Sequence, residues 1–134
     1  MNRITKDQQT SVSQHISNEM LPAVLRLSLK KKWFNMTKSG VKTEDYREIN
    51  DYWIKRLCSD WCSGFDNVAR ENVYMPVFKE FTKNIMTLGY PSNNDKERII
   101  EFEHKGIEIR TGNSEWGAVP GKQYFVIIHG AVIV

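Results

Sequence analysis

The chain has 134 residues, 40% hydrophobic and 26% charged, enough for one domain with a real core. A net charge of +3 and a pI near 8.9 are mildly basic, a balance shared by many proteins without a nucleic-acid partner. No apolar run approaches the roughly eighteen residues of a membrane helix, and MNRITKDQQTSVSQHI lacks the apolar centre of a secretory signal. The expectation is a cytoplasmic protein with no membrane partner.

Residues 1–20 are polar and read as a loose arm, with a weak helical tendency from Val12 to Met20 that Leu21-Pro22 ends. The domain is expected over 21–134. Val24, Leu25, Leu27 and Leu29 alternate with Arg26 and Ser28, which predicts a half-buried strand over Ala23–Leu29. Leu29, Trp33 and Met36 then recur at i, i+4 and i+7, one face of a helix, and Ser39-Gly40 closes it with a left-handed cap. Lys42–Glu48 reads as a second strand whose parity puts Thr43, Asp45 and Arg47 on one face and Glu44, Tyr46 and Glu48 on the other.

Asn50 or Asp51 caps a predicted helix running to about Cys62, with Trp53, Leu57 and Trp61 on one stripe and Gly64 as its end. Phe65–Pro76 carries no clear period. In Val77–Leu88 the helix and strand periods compete, and a strand is expected in the second half. After a turn cluster at 89–95, Arg98–Arg110 reads as a strand with Ile100 and Phe102 on one face and Glu101 and Glu103 on the other. Gly106 marks a bulge or bend in it. A glycine-rich loop, Thr111–Lys122, carries Trp116, and Gln123–Val134 is apolar enough for a buried strand, with a second bend at His129-Gly130. The class is α+β around a small curved sheet.

Cys58 and Cys62 would share a helix face, a geometry poorly suited to a disulfide, and read as reduced thiols. They lack the partners of a zinc set, and His15, His104 and His129 show no metal spacing, so neither metal nor cofactor is expected. His104 and His129 read as strand histidines satisfied within the core or at an edge.

Gly40-Val41-Lys42-Thr43-Glu44-Asp45-Tyr46-Arg47, set between a helix and a strand, closely resembles the GxKxxExR signature of the ASCH domain in the PUA-like superfamily, here as GxKxxDxR. The resemblance covers roughly Leu21 to Val134. It implies a small β-barrel of about five to six strands with two or three helices, including a helical insertion after the second strand. It also implies a cleft beside the motif for RNA or a nucleotide-like ligand. Some members hydrolyse, cleaving RNA or removing the acetyl group of N4-acetylcytidine. In the amidohydrolases a lysine and a threonine of the motif act with a later glutamate. Lys42 matches the lysine and Asp45 occupies the threonine's position. Glu101 and Glu103 are candidates for the glutamate, because they share a strand face expected to line the barrel.

Lys42 in such a cleft binds phosphate when charged, or acts as a base when desolvated; the plain alternative is a solvated turn lysine. Asp45 beside Arg47 either positions a water or a base edge, or merely neutralises the arginine. Arg47 itself suits a forked contact to phosphate or base, against a structural ion pair. Strict alternation would separate Lys42 from Asp45, so these residues converge only if Lys42 belongs to the turn. Lys30, Lys31 and Lys32 with Trp33 read either as a phosphate-tracking patch with a stacking ring or as an exposed lysine run beside a core tryptophan, the stripe with Leu29 and Met36 favouring core for Trp33; Tyr46 and Trp116 are the better stacking candidates. Three functions follow: binding of RNA or a nucleotide-like ligand, hydrolysis on the same scaffold with Lys42 and Asp45, Glu101 or Glu103, and protein docking through Trp53 and Trp61 of the insertion.

Overall fold

The computed structural model describes residues 23–133, so the polar arm of residues 1–20 lies outside them. In chain order the elements are β1 (Ala23–Leu29), α1 (Lys31–Lys38), β2 (Glu44–Arg47), α2 (Asp51–Leu57), β3 (Cys58–Asp66), β4 (Glu71–Phe78), β5 (Phe81–Leu88), β6 (Ile99–Thr111) and β7 (Gln123–Val132). Single 3₁₀ turns sit at Lys96–Arg98 and Ser114–Trp116. Neither α-helix is long and apolar enough to cross a membrane.

Five strands form one sheet in the order β1-β5-β6-β7-β2, and β3 and β4 pair as a separate hairpin. β1 runs parallel to β5; the other neighbours are antiparallel. The sheet curls into a half-barrel. Its register shifts on both sides of His104, and Gly106 takes φ +146°, so the bend read at that glycine is where β6 curves. The main core gathers Leu25, Leu27, Phe34, Leu57, Met86, Phe102, Phe125 and Ile127 on one face. On the other face Ala118, Tyr124 and Val126 pack with Tyr46 and Ile128 under the loop that follows β6. β7 is thus covered on both sides, which is why its sequence is a nearly unbroken apolar run.

The expectations for the stretch after β2 need correction. The second helix stops at Leu57, because Cys58 turns to φ −113°, ψ 140° and opens β3. Trp61 therefore lies on a strand, its ring against Tyr74 and Phe125. The segment without a period is the turn and outgoing strand of this hairpin, with Asp66 Oδ1 accepting from the Val68 and Ala69 amides in the turn. The insertion is a short helix plus a hairpin, and the described residues hold two α-helices, within the two or three expected. The cysteines lie along an extended strand rather than on one helix face, Cys58 buried and Cys62 exposed.

The barrel is also open rather than closed. The Leu27 and Leu29 carbonyls face β5, where Thr87 Oγ1 and the Gly89 amide meet them, so the Arg26 and Ser28 carbonyls face the opposite, unpaired edge. Among the described residues no strand covers that edge. Arg47 Nη2 donates to the Ser28 carbonyl at 3.1 Å, and Arg56 Nη2 donates to that of Arg26. Guanidinium groups from β2 and α2 cap the backbone where another strand would lie.

Candidate functional site

Gly40 takes φ +85° after α1, and the strand starts only at Glu44, which leaves Lys42 in the turn. The requirement for convergence is met. Lys42 Nζ donates to the Glu44 carbonyl at 2.6 Å and to Asp45 Oδ1 at 3.3 Å, while Arg47 Nε donates to Asp45 Oδ2 at 2.5 Å. Lys42 and Asp45 are only 3% and 4% exposed. Burial lowers the Lys42 pKa from its usual 10.5, and the attraction of Asp45 opposes that shift without cancelling it.

Above this pair lies a cleft of about 290 Å³ whose walls include Trp33, Tyr46, Trp116 and Tyr124, with Glu48 at one side. Lys42 Nζ is 5.7 Å from the centre of the Tyr46 ring. The Tyr46 hydroxyl donates to Glu44 Oε1 at 2.7 Å and accepts from the Asn113 amide at 2.8 Å. Burial raises its pKa to about 12, so Tyr46 serves as a wall rather than an acid. The loop between β6 and β7 reaches these rings because two of its residues lack side chains. A Cβ on Gly117, at φ +103°, would come within 2.9 Å of the Trp33 ring, and one on Gly112 within 2.6 Å of Tyr46.

Other predicted residues fall elsewhere. Arg47 lies over Trp53, 4.8 Å from ring centre to Cζ, and faces the edge of β1 rather than the cleft. Lys30 and Lys31 are exposed and do not line it. Phe102 turns into the core and Glu101 and Glu103 to the other face of β6, but neither lines the cleft; Glu101 pairs with Lys83 at 2.7 Å and Glu103 is exposed. Glu44 is bound to Arg110 at 2.5 Å, a hydrogen bond that lowers its pKa. Trp53 and Trp61 both pack against the core. Among the described residues no group of His, Cys, Asp and Glu is arranged to hold a metal.

Two features were not read from the sequence. Trp33 and Tyr124 contribute walls: for Trp33 the helical stripe favours the core over a stacking ring, and it both packs on the core and lines the cleft, while Tyr124 had a signal in its parity with Val126 on β7. The second is a buried polar chain. His104 Nδ1 meets Asn84 Oδ1 at 2.7 Å, and Asn84 Nδ2 meets His129 Nδ1 at 2.9 Å. The Ile128 carbonyl, 3.5 Å from Asn84 Nδ2, fixes the amide orientation. His129 Nδ1 is then the acceptor and Nε2 carries the proton, with no partner among the described residues. Desolvation pushes the His129 pKa down to about 4. Its amide donates to the Thr43 carbonyl at 3.1 Å, beside the motif. A lone Asn within the apolar run of β5 was the available clue. Comparison with family models, curated proteins and solved structures finds no match to the chain.

Proposed function

We propose that this chain is an ASCH-like domain of the PUA-like type that binds RNA or a nucleotide-like ligand in the cleft beside Gly40–Arg47. The carrying observation is a buried Lys42–Asp45 pair at the floor of a small aromatic cleft. Lys42 commits two of its three N–H donors to Glu44 and Asp45, leaving one for a ligand acceptor. The Asp45 carboxylate, bound once on each oxygen, keeps lone pairs for a ligand amine. Donor beside acceptor matches a base edge that carries an acceptor beside an amino group. Because Asp45 stands beside Lys42 and Arg47 turns to the edge of β1, the floor presents an acceptor next to a donor, which favours a base edge over a phosphate. Stacking on the walls supplies about 1–3 kcal/mol per base.

The second reading is a hydrolase on the same scaffold, acting on RNA or on the amide of a modified nucleoside, with Lys42 and Asp45 as the proton-transfer pair. The lowered pKa of Lys42 favours it. Docking of a protein on Trp53 and Trp61 would displace both rings from the core, which makes it the weaker alternative.

One experiment separates these readings. Wild type and Lys42→Ala, checked for fold by circular dichroism, are incubated with short single-stranded RNA and with N4-acetylcytidine. Retention without product, weakened in the variant, is expected for the binding domain. Product from wild type alone makes the protein a hydrolase. Neither retention nor product rejects the nucleic-acid reading.

A further inference from the structure

We propose that Arg26 and Arg56 form a second binding site, for a phosphomonoester dianion, in a cavity that shares no residue with the motif cleft. This cavity measures about 310 Å³ and is walled by Arg26, Ser28, Arg56, Thr87, Tyr90 and Asn93. That volume is at the lower end for small-molecule sites.

Charge is the first argument. Two guanidinium groups line the cavity and, among the described residues, no carboxylate does. Three other arginines sit against carboxylates: Arg47 holds Asp45, Arg98 holds Asp95, and Arg110 holds Glu44 and Glu108, while Arg70 in the turn between β3 and β4 lies outside any cavity shared with a second arginine. Among the described residues Arg26 and Arg56 hold no carboxylate. Two like charges at one cavity repel, and an oxyanion between them relieves that repulsion. A dianion matches the pair in charge, and guanidinium forks match phosphate oxygens in geometry.

Preorganisation is the second. Arg56 is anchored by the Arg26 carbonyl and by the Tyr52 hydroxyl at 3.3 Å, and its Cζ lies 5.1 Å from the centre of the Trp53 ring. Arg26 Nη2 donates to Asn93 Oδ1 at 3.4 Å. All these acceptors are neutral, so they orient the guanidiniums without cancelling their charge. Of the five N–H donors on each guanidinium, Arg26 commits one and Arg56 two. Tyr90, 95% exposed on the turn after β5, offers its ring to the organic part of the ligand.

The test is NMR titration of the full chain, reading the Arg Nε–H signals and the Gly89 amide. The probes are inorganic phosphate, a nucleoside 5′-monophosphate, a 5′-phosphorylated short RNA, and a dinucleoside phosphate that carries only a diester. Expected are saturable shifts at Arg26 and Arg56 with the first three, and binding at least tenfold weaker in Arg26→Gln. The two organic monoesters distinguish a free nucleotide from an RNA end by which binds more tightly. Lys105→Gln, which removes the same charge from an exposed position on β6, leaves binding unchanged, and Tyr90→Ala weakens the nucleotide but not inorganic phosphate. Equal binding of the diester, insensitivity to Arg26→Gln, or an equal loss in Lys105→Gln overturns the proposal.

Discussion

Lys42 is held in a place water hardly reaches by a carbonyl and a carboxylate within hydrogen-bond distance. Removing one member of such a pair costs more than removing both, since the survivor stays buried. Lys42→Met is expected to destabilise the fold by about 3 kcal/mol, the low end of the usual range because Arg47 still holds Asp45. Lys42→Met combined with Asp45→Asn loses less than the sum of the single changes; urea unfolding of the four proteins measures this coupling. His129 makes a pH-dependent contribution. Its folded pKa of about 4 lies below the unfolded 6.5, so the unfolded chain binds the extra proton between those values. Stability is therefore full above pH 6.5 and falls as the pH drops through 4, by about 3 kcal/mol. Desolvation of His104 acts in the same direction. Urea midpoints at pH 7 and pH 5 check this, and His129→Gln flattens the difference. Lys42 was legible because its motif is contiguous. The environment of His129 was not, since it depends on Asn84, distant in sequence and adjacent only across the folded sheet.

At the scale of elements, β2 divides its labour by face. Asp45 and Arg47 turn toward the side of the main core, while Glu44 and Tyr46 meet Arg110 and the tyrosine cluster. This division was readable from parity alone. The same arginine covers one carbonyl on the free edge of β1. Arg47→Ala removes that cap and one partner of Asp45, and is expected to cost about 2–3 kcal/mol. Thermal unfolding beside an exposed control such as Lys55→Ala measures it; equal melting temperatures would refute the capping role. The overextended second helix has a simple cause. Trp53, Leu57 and Trp61 recur every four residues, a spacing that nearly fits the helical period and also fits a multiple of the strand period. Only Cys58, which changes the backbone from one to the other, separates the two.

For the whole molecule, the five-stranded sheet carries the core and the β3–β4 hairpin projects from it. The α+β class and most of the sheet were legible, because buried strands announce themselves by alternation. The hairpin was not, because β4 turns Val73, Met75 and Val77 to solvent and Tyr74, Pro76 and Phe78 inward, so apolar residues occupy both faces. The expected half-buried pattern is lost. A two-stranded unit with one covered face opens more readily than a five-stranded sheet. Hydrogen exchange is expected to be faster at Cys62–Tyr74 than in the β6–β7 pair, and uniform exchange across both would reject this hierarchy.

The strand order also dictates a history. β5, β6 and β7 follow one another in the chain and pair as neighbours, whereas β1 must bring Ala23 to Phe81 and β2 must bring Glu44 to Ile128. Closing those long loops is entropically costly until the central strands provide a surface on which to dock. In pulse-labelled refolding, amide protection in β6–β7 is expected to precede that in β2–β7, and simultaneous protection would refute the sequence of events. The motif cleft is built on β2, so it is the youngest part of each newly folded molecule, and a ligand bound there can influence folding only at its final step.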